Sequence, residues 1–272
     1  MLIYGKEIRE KIKAQVLTEA SKKDMTMAII QVGDAPDSEA YIRGLHRFAE
    51  ETNIGIEFLK FPADNTEENL IEEIKKLNQN PKITGIMLQE PLPKHINADR
   101  LVDAIDPKKD VEGVHNYNLG KLVSRQEGVF PSTAQALVTM LKEFNIPIAG
   151  KKVVVVGRST IVGHPVANML TAEHATVTLC HSRTVDLASE TRRADILIVA
   201  IGKAEFITAD MVTDGVVILD AGINFTEEGK LVGDVHPEAK EKASHASAVP
   251  GGVGLITVAE LFNNLCKLDK IK

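Results

Sequence analysis

Apolar and polar positions along this chain follow two periods that take turns. Met27–Gly33 (MAIIQVG) is a β-rich apolar run ending at glycine, and Ile56–Pro62 alternates apolar with polar. Thr84–Pro91 is a short apolar run stopped by Pro91 and Pro93. Two amphipathic stretches of helical period lie between these runs. One is opened by Asp37 or Ser38 and runs to about Asn53; the other begins at Asn65, with Glu68 three residues later at capping-box spacing. Strands separated by helices predict parallel strands with crossover connections, and functional loops at the carboxyl ends of those strands. After a helix at about Ala134–Phe144 a second alternation predicts strands at Lys152–Val156, Thr176–Cys180, Ile196–Ile201 and Val216–Ala221. Thr257 and Glu260 repeat the capping-box spacing and predict a final helix. The polar, turn-rich passage Pro107–Thr133 separates the two alternations. It is long for a plain linker and reads as lining a cleft between domains.

Composition narrows the classes. At roughly 100–200 residues per domain, 272 residues predict two domains, each with its own core. The 32 basic and 38 acidic side chains leave a formal charge of −6, with no cationic run longer than a pair, which argues against a nucleic-acid partner. Cys180 and Cys266 fit no metal or disulfide spacing, and the eight histidines form no ligand motif, so no metal is expected and a reducing, cytoplasmic setting fits best. Lys6, Glu7 and Arg9 interrupt any leader core, and no later apolar run reaches the ~18 residues of a membrane span.

The stretch VVVVGRSTIVGHPVANML carries the most chemistry. A buried β-run meets Gly157, turns through Arg158 and Ser159, and enters a helix near Val162 and Gly163, where a Rossmann unit offers backbone N–H groups to a pyrophosphate. The spacing is not G-x-G-x-x-G, because Ser159 replaces the second glycine and one more residue precedes Gly163. Pattern alone therefore leaves dinucleotide binding and a structural β-α turn both open. The next strand, TVTLC, ends in His181-Ser182-Arg183-Thr184 without the carboxylate that takes an NAD ribose; Arg158, Ser182 and Arg183 instead favour the extra phosphate of NADP.

The segments VGDAPDSEAYI, LQEPLPKHI, DPKKDVEGVHNYNLGKL, VVVGRSTIVGHPVANML, ATVTLCHSRT, LDAGIN, GDVHPEA and VPGGVGLITVAEL occur in one order over nearly the whole chain. In these the chain resembles the methylenetetrahydrofolate dehydrogenase/methenyltetrahydrofolate cyclohydrolase family. The resemblance implies oxidation of 5,10-methylenetetrahydrofolate with NADP, then hydrolysis of the methenyl product to 10-formyltetrahydrofolate. It also implies a homodimer of two-domain α/β chains, with folate in a cleft between an N-terminal catalytic domain and a Rossmann domain. The catalytic domain would span 1–133, completed by the C-terminal helix 256–272, and the Rossmann domain 134–255. Carried over residue by residue, Tyr41 would stack near the pterin, and Gln89 and Glu112 would belong to the catalytic network. Pro250, Gly251, Gly252, Val253, Gly254 and Thr257 would shape the folate pocket. Gly157, Arg158, Ser159, Val162, Gly163, Ser182, Arg183 and Ile223 would bind NADP.

Three positions depart from the family's pattern. The family carries a lysine four residues after the tyrosine, assigned the main part in hydrolysis, and here that position is Leu45. A leucine can neither donate a hydrogen bond nor relay a proton. Arg43, His46 and Arg47 leave the Tyr41 face of a helix, whereas Tyr41, Gly44, Leu45 and Phe48 form one apolar stripe. The usual aspartate of D-V-D-G is Glu112, and Q-L-P-L-P reads Gln89-Glu90-Pro91-Leu92-Pro93. Hydride transfer rests mainly on orientation of two bound partners and can survive these changes, whereas hydrolysis needs an activated water. The sequence therefore predicts a dehydrogenase with weak or absent cyclohydrolase. The other readings are a fully bifunctional enzyme using Glu112 with Gln89, a silent folate- or dinucleotide-binding paralogue, and a Rossmann oxidoreductase for another substrate.

Overall fold

The computed structural model describes residues 1–34 and 36–270, without the side chains of Pro36, Asp37, Ser38 and Ala40. It divides into two compact units. One comprises Glu10–Ser132 with Val258–Lys272, and the other Met1–Arg9 with Thr133–Thr257. In chain order the elements begin with β1 (Leu2–Ile3), α1 (Lys6–Ala20), β2 (Thr26–Val32), α2 (Pro36–Thr52), β3 (Gly55–Phe61), α3 (Glu67–Gln79) and β4 (Gly85–Gln89). Next come α4 (Ala98–Ala104), α5 (Asn116–Val123), α6 (Ser132–Glu143), β5 (Lys152–Val156), α7 (Gly163–Ala172), β6 (Thr176–Cys180), α8 (Leu187–Thr191) and β7 (Ile196–Val199). A short 3₁₀ turn, β8 (Val217–Asp220), the two-residue strands β9 (Asn224–Phe225) and β10 (Leu231–Val232), α9 (Pro237–Glu241), β11 (His245–Ser247) and α10 (Val253–Lys270) complete the chain.

The first unit is built on a parallel sheet in the order β3-β2-β4. Ala28, Ile30 and Val32 of β2 and Ile86 and Leu88 of β4 share a core with Leu70, Ile74 and Leu77 of α3 and Leu101 of α4. Met27 and Ile29 alternate to the opposite face and are equally buried, so the central strand is covered on both sides, as parallel sheets require. On α10, Phe262 stacks on Phe48 of α2 at 4.8 Å, and Leu265 occupies the space where a side chain on Gly85 would sit.

The second unit holds six parallel strands in the order β1-β11-β8-β7-β5-β6. The valines of β5 are buried between β6 and β7, and Val154, Val156, Leu197, Val199 and Ile218 share a core with Ala239 of α9. After β5 the chain steps outward to β6 and then returns across β5 to β7. The carboxyl ends of β5 and β7 are thus the topological switch point, where open α/β sheets bind ligands.

Several expectations are corrected at element ends. Strand β1 pairs with β11, so residues 1–9 group with the six-stranded sheet and not with 10–132. The cap of α3 is Thr66, whose side chain accepts from Asn69 N–H, one residue after the expected Asn65. Helix α2 already starts at Pro36, and whether Asp37 or Ser38 caps it lies outside the described side chains. Helix α10 begins at Val253, which leaves Thr257 inside it; its hydroxyl donates to Val253 C=O at 3.1 Å and caps nothing. The passage 107–133 contains α5 and a bridge from Asp110 to Ile86 beside β4.

Candidate active site

Glu112 is aimed by its two chain neighbours. Asn264, fully buried on α10, donates to the carbonyls of Val111 and Phe130 at 3.1 and 2.9 Å. Asp110 accepts from Gly113 N–H, His115 N–H and the Asn118 amide within 2.8–2.9 Å. Gly113 adopts φ +71°, and a Cβ there would lie 2.4 Å from Phe130 C, so only glycine closes this turn. Thus held, Glu112 reaches back to β4, where Oε2 accepts from Leu88 N–H at 3.2 Å.

The adjacent Gln89 is only 7 % exposed. Its amide nitrogen donates to Glu90 C=O at 2.6 Å, while its buried Oε1 meets no donor among the described residues. A buried acceptor left unfilled costs about 1–3 kcal/mol, and such an orphan marks a place for a ligand's donor. Burial pushes the Glu112 carboxyl up to about 8; the charges of Asp110 and, more weakly, Glu90 act in the same direction, and the Leu88 N–H opposes them. Burial, then the charge of Glu112, raises Tyr41 well above the usual phenol range. Tyr41 thus lies within electrostatic reach of Glu112, and Glu112 is bonded to Leu88 N–H, the residue before Gln89 on β4.

Leu45, one turn beyond Tyr41 on α2, is 0 % exposed, as is Phe48. The cations around it are directed elsewhere. Arg43 pairs with Glu39 and Arg47 with Glu51, each at 3.2 Å on exposed helix surface, while His46 packs edge-on against Phe58. Gly44 is different, because a Cβ there would meet nothing within 4 Å. Gly44→Ala is expected to stabilise the chain by about 0.5–1 kcal/mol in denaturant titration, since helical glycine carries that penalty and no clash offsets the gain. An unchanged or lower midpoint would contradict this.

In the six-stranded unit Gly157 follows β5 with φ +121°, and a Cβ on it would lie 2.1 Å from Ala200 C=O. A Cβ on Gly163 would lie equally close to Gly157 C=O. These glycines are thus required by the packing of the turn on itself and on the end of β7. The helix amides are also engaged. Ser159 Oγ accepts from Val162 and Gly163 N–H at 3.1 and 3.4 Å, and Ser159 C=O accepts from His164 N–H. Arg158 and Ser159 are exposed at the end of β5, and Ser182 and Arg183 at the end of β6, where Arg183 N–H donates to His181 Nδ1. Two cations at the adjacent ends of β5 and β6 fit a phosphorylated adenosine.

Ile223 stands 63 % exposed beyond β8. Gly251 and Gly252 also answer to the chain itself. Gly251 C=O accepts from Gly5 N–H at 2.8 Å, and a side chain on Gly252 would meet Ala248 C=O at 2.4 Å. Pro250 is exposed and the Val249–Pro250 peptide is cis, as is Glu90–Pro91. Sequence reasoning missed Asp110 and Asn264, which aim Glu112, and the buried aspartates of the six-stranded unit. The aspartates lie in LDAGIN and GDVHPEA, and the tight glycines flanking them were the available signal.

A parallel sheet whose switch point carries a tight glycine turn and two exposed arginines, with a second α/β unit presenting a half-buried acid and phenol and a buried amide, defines a two-domain dinucleotide-dependent enzyme. Residues 3–112 match the catalytic domain of the tetrahydrofolate dehydrogenase/cyclohydrolase family, and residues 131–272 its NAD(P)-binding domain. The chain belongs to this family. It is 57% identical over 265 residues to bifunctional protein FolD 2 of Syntrophomonas wolfei, covering 97% of each chain. Its fold is similar to that of the bifunctional FolD methylenetetrahydrofolate dehydrogenase/cyclohydrolase of Campylobacter jejuni, with TM-score 0.96, 38% identity, and coverage of 100% and 99% of the two chains. It is also similar to the Trypanosoma brucei methylenetetrahydrofolate dehydrogenase-cyclohydrolase solved with NADP and an inhibitor, with TM-score 0.93, 31% identity, and coverage of 100% and 97%. No helix among the described residues is long and apolar enough to cross a membrane, and none of their His, Cys, Asp and Glu side chains cluster to hold a metal ion.

Proposed function

We propose that this chain is an NADP-dependent 5,10-methylenetetrahydrofolate dehydrogenase whose methenyl-hydrolysing half is weak at neutral pH. The observation that carries the second part is the sealed, apolar Leu45 one turn from Tyr41, with Arg43 and Arg47 engaged on the outer surface. NADP, when bound, supplies the hydride acceptor, and Arg158, Ser159, Ser182 and Arg183 would hold its phosphates. The chain's own work in oxidation is orientation. Gln89 Oε1 takes a donor of the pterin, the half-buried Tyr41 ring offers a flat apolar face, and the burial of Gln89 restricts water. No proton has to move at the reacting carbon for this step, so it does not depend on a cation at position 45. Hydrolysis differs, because water must be deprotonated as it attacks and the ring nitrogen must gain a proton as it leaves, each assistance being worth typically ~10²–10⁴-fold.

One observation favours a second reading, in which the chain is fully bifunctional. The Glu112 carboxyl is raised to about 8 and is bonded to Leu88 N–H, next in the chain to Gln89 with its unfilled oxygen, and such a carboxyl could serve as the acid and then the base of hydrolysis. The two readings part in one experiment. Methenyltetrahydrofolate is supplied directly and its disappearance followed across pH, for the unmutated chain and for Glu112→Gln. The first reading expects slow hydrolysis that Glu112→Gln barely changes. Rapid hydrolysis with a limb near pH 8 that Glu112→Gln abolishes would establish the second. The homodimer and the cytoplasmic setting belong to this proposal too, and sedimentation of the purified chain tests the dimer.

A further inference from the structure

Two carboxylates at the carboxyl end of the six-stranded sheet are buried and take no part in the chemistry above. Asp234 is 0 % exposed. Its Oδ2 accepts from Ile201 and Gly202 N–H at 2.7 and 3.1 Å, and its Oδ1 from Lys203 N–H and the Asn224 amide at 2.8 and 2.9 Å. Asp220, at the end of β8, accepts from Gly222, Asp234 and Val235 N–H within 2.9–3.1 Å and pairs with Lys240 at 2.7 Å. The two interlock through glycines. A Cβ on Gly222 would lie 2.3 Å from the Asp234 carboxyl carbon, and one on Gly233 would lie 1.9 Å from Asp220 Oδ2.

The segments so tied have a definite place. In the order β8-β7-β5-β6 the exposed arginines stand at β5 and β6, so an adenosine phosphate recognised there directs the rest of a dinucleotide the other way, over the ends of β7 and β8. The chain leaving β7 is Ala200–Lys203, and the chain leaving β8 is Ala221–Asn224, which holds Ile223 out to solvent. Asp234 joins one to the other, with three successive N–H groups from the first and the amide of Asn224 from the second.

We propose that Asp234 is a positioning residue that sets the surface receiving the nicotinamide half of the cofactor, by fixing 201–203 and 222–224 as one rigid platform. This rests on the reading that the unit binds NADP. In Asp234→Asn the amide nitrogen, whichever oxygen it replaces, faces a donor at two of the four bonds, so the two segments separate while the ends of β5 and β6 keep their geometry.

The test measures binding of two probes, NADPH and adenosine 2′,5′-bisphosphate, to the full chain by calorimetry, with thermal unfolding alongside. Asp234→Asn is expected to weaken NADPH by about tenfold or more, the scale of one or two charge-assisted hydrogen bonds, while the adenosine fragment changes less than about twofold. Asn224→Ala, which leaves the 201–203 bonds in place, is expected to shift NADPH in the same direction by a smaller factor, and it serves if Asp234→Asn does not fold. Parallel weakening of both probes, or a lower unfolding midpoint with unaltered NADPH binding, would reduce Asp234 to a structural residue and overturn the proposal. Failure of the unmutated chain to bind either probe would overturn the NADP reading and this proposal with it.

Discussion

Leu45→Lys is expected to raise methenyltetrahydrofolate hydrolysis by about 10²-fold, the low end of what one positioned proton-transfer group contributes. The side chain would leave the apolar face that α2 buries and place an ammonium one turn from Tyr41, whose own environment is coupled to Glu112. An opposite charge there would draw the Glu112 carboxyl back toward its ordinary range and compensate part of the cost of burying the lysine. The fold would still lose a well-packed leucine, so stability should fall by about 2–4 kcal/mol, the range for removing buried aliphatic groups. The dehydrogenase rate should change less than about tenfold, because orientation and not proton transfer limits it. Leu45→Met separates packing from chemistry, since it keeps the volume and adds no charge, and it should leave hydrolysis at the unmutated rate. A folded Leu45→Lys chain without faster hydrolysis would contradict the account of position 45.

The second large effect is a pH dependence of stability centred on Glu112. Its carboxyl is raised from an ordinary 4.5 to about 8 in the folded chain. The folded state therefore binds this proton more tightly than the unfolded state. The contribution is fully present below about pH 4.5 and is lost as pH rises through about 8. At ~1.4 kcal/mol per pH unit the loss across that window is on the order of 3–5 kcal/mol. Glu112→Gln, which is neutral throughout, should lack this slope and be the more stable chain above pH 8. The measurement is the difference in unfolding free energy between the two chains in urea at several pH values. A difference that stays constant with pH would show that Glu112 is ionised in the folded chain at neutrality.

Much of the scaffold was legible because parallel strands buried on both faces have to be continuous apolar runs. Lys152–Val156 was read with its observed ends for that reason, and Thr176–Cys180, an edge strand with every second residue exposed, by its alternation. The two-residue strand β1 and the three-residue β11 are too short for any period to register, and the grouping of residues 1–9 was lost with them. Helix α10 was started three residues late, because VPGGVG has the composition of a turn; the helix nevertheless runs through Gly254. In the site, the replacement at position 45 was visible residue by residue. What could not be seen is what proximity does. Gln89 Oε1 is an orphan, Glu112 is pushed toward neutrality by Asp110 and burial, and Asp234 gathers N–H groups more than thirty residues away in sequence. Gly157, Gly163 and Gly252 were read only as site residues, and the structure adds that each is required by backbone packed against backbone.

The most direct test follows both half-reactions in one vessel. Purified chain is given 5,10-methylenetetrahydrofolate and NADP, and reduced cofactor, methenyl compound and 10-formyltetrahydrofolate are quantified over time at neutral pH. The expected result is steady formation of reduced cofactor with matching accumulation of the methenyl compound, and 10-formyl product no faster than its spontaneous rate. Formation of 10-formyltetrahydrofolate in step with reduced cofactor, with no methenyl build-up, would contradict the assignment of Leu45 as the break between the two activities.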